Sequence, residues 1–204
     1  AYIFAYDGEN WLQESKLAPP EGSSDHFGST VAIDQDTALV RATDRVYVFA
    51  RSGSAWSQEA VLSPEEGSAG GFGYALAIVG DTVLIGAPWS DDYRGAVYVY
   101  LRTGGQWREQ ARLQPTDARR NGYFGGALAL SETTALIGAY GDSEAGFGCG
   151  SAYVYARSGE TWLEEARLQE DAPQEDNFFG YSLDLSQDTA LIGNLGGPSM
   201  IFVR

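Results

Sequence analysis

The feature that most constrains this fold is a sequence unit that returns about every fifty residues. A Phe-Gly pair marks each return, and a threonine that opens an apolar run stands ten residues after each Phe. The pairs are Phe27 with Thr37, Phe72 with Thr82, Phe124 with Thr134, and Phe179 with Thr189. Such a period indicates repeated supersecondary units that bury their faces against one another.

The clearest copy spans residues 72–113 and contains four short apolar runs separated by turn residues. The second run, residues 83–87, and the third, residues 97–100, are rich in β-branched and aromatic side chains. No run has the 3.6-residue period of an amphipathic helix, so the unit is predicted to hold four β-strands.

The second half of each unit repeats as regularly as the first. A tryptophan follows a third-strand tyrosine by nine residues, and a leucine follows the tryptophan by six. The tryptophans are Trp11, Trp56, Trp107 and Trp162, and the tyrosines are Tyr2, Tyr47, Tyr98 and Tyr153. A four-stranded unit that recurs in this way is typical of the blades of a β-propeller, and we expect the repeated aromatic rings to pack between neighbouring blades.

The repeat register divides the chain into a half repeat at residues 1–26, full repeats at 27–71, 72–123 and 124–178, and a truncated repeat at 179–204. We interpret these as one all-β domain, a β-propeller of about four blades with about seventeen strands. In a closed ring, the half repeat and the truncated repeat would share one blade, and the third strand of each would compete for the same place in it. We therefore expect an incomplete ring with open terminal edges. Because Ala1 opens inside a strand-like run, the chain is expected to be a processed product or an excerpt, with further blades supplied by additional sequence, a partner or a second copy.

The motif residues resemble a known family. Phe72-Gly73 followed by Gly86-Ala87-Pro88 is similar to the FG-GAP repeat of the integrin α-chain propeller, and Gly150–Tyr155 through Trp162 resembles its bacterial version more closely. The resemblance implies a β-propeller that is extracellular, at the cell surface or periplasmic, and that binds other proteins.

Calcium loops of the integrin-like version are not carried over to this chain. Calcium takes about six to eight oxygen ligands, whereas the hairpins that join the first and second strands are short and poor in carboxylates. These hairpins are Asp34-Gln35-Asp36, Val79-Gly80-Asp81, Ser131-Glu132-Thr133 and Ser186-Gln187-Asp188. No cofactor is therefore predicted, and a calcium-dependent adhesive domain stays an alternative.

Composition excludes some partners. The formal net charge of −15 disfavours nucleic acid and anionic membrane surfaces, which would repel the chain, and leaves a basic protein, a cation or a neutral glycan. The one cysteine, Cys149, excludes an internal disulfide. No apolar run is as long as a membrane span, so we predict a protein that does not span the membrane.

The connections between second and third strands vary most in length, and variable loops on a rigid scaffold are common binding sites. They also concentrate exposed aromatic and charged residues. The predicted binding residues are Trp89, Asp91, Asp92, Tyr93, Arg94, Tyr140, Asp142 and Phe147.

No catalytic site is predicted. The single histidine, His26, has no nucleophile motif near it, so the chain is interpreted as non-enzymatic. Two functions remain after this exclusion: a module that docks a protein or a larger assembly, and a glycan-binding or calcium-dependent adhesive propeller. In the glycan alternative, Trp89, Tyr93 and Tyr140 would stack on sugar rings beside the loop carboxylates.

Overall fold

The structure is a computed structural model that describes residues 1–19, 25–65, 69–196 and 200–203. Within these residues the chain forms five antiparallel sheets that follow one another along the sequence. We call them blades 1 to 5.

Strands β1 to β17 are assigned to the blades in chain order. Blade 1 contains β1 (Tyr2–Tyr6) and β2 (Trp11–Lys16). Blade 2 contains β3 (Val31–Asp34), β4 (Thr37–Ala42), β5 (Arg45–Ser52) and β6 (Ala55–Leu62). Blade 3 contains β7 (Leu76–Val79), β8 (Thr82–Ala87), β9 (Ala96–Thr103) and β10 (Gln106–Leu113), with the helical turn α1 (Ser90–Tyr93) between β8 and β9. Blade 4 contains β11 (Ala127–Leu130), β12 (Thr134–Ala139), β13 (Ser151–Ser158) and β14 (Thr161–Leu168). Blade 5 contains β15 (Ser182–Ser186), β16 (Thr189–Gly193) and β17 (Met200–Val203).

Each four-stranded blade is an up-and-down sheet in which consecutive strands pair. The first strands β3, β7, β11 and β15 contact one another in turn, so they lie on the inner side of an arc of blades. The predicted all-β propeller architecture is confirmed, and the ring is not closed.

The blades are held together by apolar clusters that each span two neighbouring blades. Between blades 3 and 4, for example, Leu84 and Val99 from one blade share a cluster with Ala135, Tyr155 and Trp162 from the next. The strands facing this interface are buried along their whole length, as β8 and β12 show. Such burial on both faces is what an inner blade needs, since each sheet is covered on both sides.

The Phe-Gly motif has a physical basis at the blade junctions. Phe72, Phe124 and Phe179 are fully buried, and the glycine after each has a positive φ that favours glycine. The glycine that opens the Gly-Ala-Pro element also has no room for a side chain. In blade 4 this glycine is Gly138, and a Cβ there would lie 2.1 Å from the carbonyl oxygen of Gly180 in blade 5. The two motifs therefore meet across a blade junction.

This contact gives a first testable prediction. Gly138→Ala should lower the free energy of unfolding by about 1–3 kcal/mol, the usual cost of overpacking, because the new methyl group meets backbone of the next blade. Gly193→Ala is the matched control: it occupies the same repeat position, but the nearest atom to its Cβ is the rotatable Ser182 Oγ. The midpoints of urea denaturation measure both effects, and equal shifts would show that the blade contact does not select glycine.

The prediction that every repeated Trp packs between blades needs a correction at Trp11. Trp162 is 8% exposed and Trp56 and Trp107 are partly buried, but Trp11 is 69% exposed, and Tyr2, the repeated tyrosine of the same blade, is 56% exposed. The reason is that blade 1 has two strands and no described blade covers its outer side. The short turn α1 does not alter the predicted all-β class, because Asp91 and Asp92 within it have left-handed φ values of 52° and 57°.

Candidate functional site

The candidate site lies on the face where first strands begin and second strands end. Its centre is the loop after β8, in which Asp91, Asp92 and Tyr93 all have positive φ values between 52° and 64°. Three consecutive non-glycine residues in the left-handed region are uncommon, and each costs about 1–2 kcal/mol. Strain of this kind is often found at functional sites.

Contacts to β10 hold this strained loop in place. The guanidinium of Arg112 donates to Asp91 Oδ2, and the amide of Gln114 donates to the same oxygen at 3.2 Å and to the Gly95 carbonyl at 2.9 Å. Arg112 also lies over the ring of Tyr98, with its guanidinium carbon 5.8 Å from the ring centre. The predicted binding residue Asp91 therefore uses its carboxylate to anchor its own loop.

A polar recess of about 390 Å³ lies beside the loop. Its walls include Trp89, Ser90, Asp91, Tyr98 and Arg112. Ser90 Oγ is buried and has no hydrogen-bond partner among the described residues. The recess thus presents a hydroxyl, a carboxylate and a guanidinium next to the indole ring.

Tyrosine rings continue along the face from this loop in a row of edge and stacked contacts, which we call the aromatic row. Tyr93 meets Tyr123 at 5.8 Å, Tyr123 stacks on Tyr140 at 5.0 Å with the two planes 9° apart, and Tyr140 meets Tyr181 at 5.4 Å. The outer members Tyr93 and Tyr181 are 49% and 44% exposed. The row is an ordered aromatic surface across the ends of three blades.

Trp89 lies next to the row rather than in it. Its ring contacts Tyr74 edge-on at 5.4 Å and is 43% exposed. Its backbone N–H donates to the Gly70 carbonyl at 3.0 Å, and a side chain at Gly70 would clash with the Trp89 carbonyl oxygen at 2.7 Å. The backbone of Trp89 is therefore held against Gly70, and its indole packs against Gly71, where an added Cβ would lie 2.9 Å from the ring carbon Cε3.

The equivalent loop of blade 4 buries its carboxylate instead of exposing it. Asp142 is 4% exposed; its Oδ2 accepts from Arg167 at 2.6 Å and from the Tyr153 hydroxyl at 3.1 Å. Arg167 also pairs with Asp117 at 2.9 Å and contacts Glu144. The expectation that Asp142 lies on an exposed loop is thus not met, because the carboxylate lies inside an ion-pair network.

The remaining predicted residues lie at the edges of this face. Asp92 is within 3.5 Å of Arg120, and Arg94 donates to the Asp91 carbonyl at 3.3 Å. Phe147 is 72% exposed, and its carbonyl accepts from the Asp176 N–H at 2.9 Å. The structure therefore brings Tyr93 and Tyr140 together through Tyr123 and leaves Phe147 on a separate loop.

Two members of the aromatic row, Tyr123 and Tyr181, were missed by sequence reasoning. Tyr181 follows Phe179-Gly180 as Tyr74 follows Phe72-Gly73, so the repeat register offered a signal for it. Tyr123 directly precedes its Phe-Gly pair and has a φ of 54°, as His26 and Phe178 have φ values of 61° and 52° at the same repeat position.

The position of Tyr140 in the aromatic row changes the pKa of its hydroxyl group. Burial raises the pKa of Tyr140 to about 12, with smaller contributions from Tyr74, Tyr123 and Tyr181. A tyrosine in the unfolded chain has a pKa of about 10. Between about pH 10 and pH 12, Tyr140 therefore keeps its proton in the native chain but has lost it in the unfolded chain. The contribution of Tyr140 to the free energy of unfolding should therefore be fully present below about pH 10 and decrease as the pH rises toward about 12.

We expect the Tyr140 ring resonances to shift near pH 12 in an NMR titration. Tyr140→Phe identifies those resonances and should leave a chain that loses less stability across the same pH range. A Tyr140 midpoint near 10 would contradict the packed row.

Among the described residues, no group of three or more His, Cys, Asp or Glu side chains is placed to hold a metal ion. The described part of the chain also contains no helix with the length and apolarity needed to cross a membrane.

The fold and this loop face define a repeat protein of the β-propeller type. The sequence profile of the FG-GAP repeat matches three segments, residues 11–55, 56–100 and 107–155, which together cover more than half of the chain. The chain therefore belongs to the FG-GAP repeat family. FG-GAP repeats are generally extracellular, non-enzymatic interaction modules. A comparison with curated proteins finds no match.

The matched segments are offset from the blades. Each begins close to a fourth strand and runs through the first three strands of the next blade. The sequence repeat thus joins two neighbouring blades.

Proposed function

We propose that this chain is a non-enzymatic interaction module that docks a protein partner or a larger assembly through its variable loop face and its open blade edges. It works outside the cell, at the cell surface or in the periplasm, and residues 1–204 act as one propeller domain. The observation that carries the proposal is the aromatic row, an ordered and partly exposed set of tyrosines on the loop face.

The chemistry of the face supports a protein partner. Tyrosine and tryptophan provide large contact areas with little loss of side-chain entropy, and both are enriched where binding energy is concentrated. The neighbouring rings in the row, and the close approach of Gly71 to the indole of Trp89, limit the freedom of these side chains before binding. The net charge of −15 favours a partner with a basic surface.

A glycan is the second candidate, supported by the half-exposed ring of Trp89 beside the polar recess. Sugar rings stack on such aromatic faces while polar groups bind their hydroxyls. All three predicted carboxylates lie in ion pairs, however: Asp91 with Arg112, Asp142 with Arg167 and Asp92 with Arg120. Protein docking therefore remains the first proposal.

Quantitative capture from the native source tests the proposal with matched variants. The double variant Trp89→Ala/Tyr93→Ala removes exposed aromatic area from the loop face, and Leu163→Ala removes an exposed apolar side chain from β14, away from this face. We expect one protein to be captured by the wild type and by Leu163→Ala, with at least a tenfold loss for the double variant.

Two further measurements separate the candidates. Binding on a glycan array that disappears in Trp89→Ala/Tyr93→Ala would replace the protein proposal with the glycan one. Capture that needs added calcium would favour the adhesive alternative, and equal capture by both variants would show that the loop face is not the docking surface.

A further inference from the structure

An apolar cavity of about 190 Å³ lies between blade 4 and blade 5. Leu136, Val154, Ala166 and Leu168 line it from blade 4, and Leu185, Ala190 and Phe202 line it from blade 5. Its volume is comparable with that of cavities of about 150 Å³ that accept an aromatic ring. The fourth strand of blade 5 is absent from the described residues, so one side of the cavity is open.

The preceding blade interface shows what occupies the equivalent place. Trp162 on β14 belongs to the core cluster between blades 3 and 4. The members of that cluster that match the cavity lining are Leu84, Val99, Ala111, Leu113, Leu130, Ala135 and Tyr155. Translated by one repeat, these residues become seven of the eight apolar residues that line the cavity, the eighth being Val203.

The strand pairing establishes this correspondence independently of residue type. Leu84 pairs with Val99 in blade 3, as Leu136 pairs with Val154 in blade 4. Ala135 pairs with Tyr155 in blade 4, as Ala190 pairs with Phe202 in blade 5. The cavity is therefore the same site as the one that holds Trp162, one blade further along.

Burial differs between the filled and the empty site. Val99, Leu113 and Tyr155 are at most 6% exposed where a tryptophan fills the interface. Their counterparts Val154, Leu168 and Phe202 are only partly buried. The lining of the cavity thus has an apolar surface that an indole ring would cover.

The polar end of the site repeats at Trp56 and Trp107, whereas at Trp162 the corresponding residue is Gln110 and the indole N–H has no hydrogen-bond partner among the described residues. The indole N–H of Trp56 donates to Glu14 at 2.8 Å, and that of Trp107 donates to Glu59 at 2.9 Å. Each glutamate stands three residues after the tryptophan of the preceding blade. Glu165 stands three residues after Trp162 and lies in the cavity wall, where it would meet the indole N–H of the next tryptophan.

We propose that this cavity is a socket for the tryptophan of a β-strand that adds antiparallel to β17. The strand has the chemistry of β6, β10 and β14, and it comes from an FG-GAP repeat outside residues 1–204. Strand addition to an open sheet edge provides main-chain hydrogen bonds, and the socket provides the side-chain specificity. This inference rests on the proposed function, because it names the partner of one open blade edge.

A second copy of the chain fits the socket less well. Its β2 carries Trp11, but β2 is already paired with β1. Strand β1 has the third-strand place that β17 holds in blade 5, so β17 would have to leave before β2 could enter. A partner that brings the fourth strand alone avoids this conflict.

A synthetic peptide of residues 158–168, the β14 sequence with its turn, tests the socket on the full chain. We expect the peptide to bind and to slow hydrogen exchange in residues 200–203. The peptide with Trp162→Ala should bind at least tenfold more weakly. The peptide with Leu163→Ala should bind within twofold of the original, since Leu163 faces away from the interface in β14 and is 60% exposed.

A second measurement covers the case in which the free peptide binds too weakly to detect. Residues 158–168 are appended directly after Arg204, with either tryptophan or alanine at the Trp162 position. The tryptophan extension should raise the midpoint of thermal unfolding and the alanine extension should not. The variant Ala166→Phe, which fills the socket from its wall, should remove the difference.

Equal behaviour of the tryptophan and alanine peptides, and of the two extensions, would overturn the socket. A concentration-dependent dimer that Trp11→Ala dissociates would overturn the proposed partner in favour of a second copy. The loop-face variant Trp89→Ala/Tyr93→Ala should bind the peptide normally. Failure of the peptide with intact loop-dependent capture would therefore reject the socket alone, and the converse result would reject the loop face alone.

Discussion

Trp162→Ala should lower the free energy of unfolding by about 3–5 kcal/mol, the usual cost of emptying a packed aromatic site. Trp162 is 8% exposed and lies in the cluster that joins blades 3 and 4. Its indole N–H is buried without a hydrogen-bond partner among the described residues, so the loss comes from packing. Arg157 lies over the ring, with its guanidinium carbon 5.8 Å from the ring centre, and would lose that contact as well.

Trp11→Ala is the matched control, because Trp11 has the same place in the repeat but is 69% exposed. Its substitution should cost less than about 1 kcal/mol. Urea denaturation followed by circular dichroism measures both variants. Similar midpoint shifts would contradict the assignment of Trp162 to an interface that Trp11 lacks.

Arg167→Ala should be destabilising by a similar amount, about 3–5 kcal/mol, because it leaves a buried carboxylate without its charge partner. The side chain of Asp142 is 5% exposed, and Arg167 holds it at 2.6 Å while also pairing with Asp117 at 2.9 Å. Burial and these two carboxylates also raise the pKa of Tyr153, which donates to Asp142. The guanidinium of Arg167 therefore supplies the positive charge that offsets the carboxylates of this network.

Arg112→Ala provides the comparison from blade 3. Arg112 has the same repeat position as Arg167, but its partner Asp91 has a side chain that is 49% exposed, so water can replace the lost contact. We expect a loss below about 1 kcal/mol, typical of exposed ion pairs.

In addition, Arg167→Met combined with Asp142→Leu should recover much of the stability lost in Arg167→Ala, since apolar pairs often replace buried ion pairs without loss. A double variant as unstable as Arg167→Ala would count against this account.

Much of the fold could be predicted because its determinants are periodic. The Phe-to-Thr and Tyr-to-Trp spacings follow strand and hairpin lengths, which are local and repeat with every blade. The burial of Trp162 followed from the same register, but the exposure of Trp11 did not. Exposure depends on whether a neighbouring blade is present, which a local pattern does not contain.

The site could be predicted only in outline. The variable length of the loops after second strands indicated the correct face, yet the left-handed turn at Asp91, Asp92 and Tyr93 has no glycine to signal it. Asp142 is buried because Arg167, from a distant position in the sequence, reaches it across the blade. Both features depend on arginines of the fourth strand that reach the loop, rather than on the loop sequence itself, and the binding role of these residues stays a prediction.

Hydrogen exchange along the isolated chain shows whether the blades form an open arc whose edges are available for docking. We expect slow exchange in β8 and β12, which are buried along their whole length, and fast exchange in β1, β2 and β17 at the ends of the arc. Equal protection of the two ends and the inner blades, in a monomer, would show that blades 1 and 5 pair with each other and that the arc is closed.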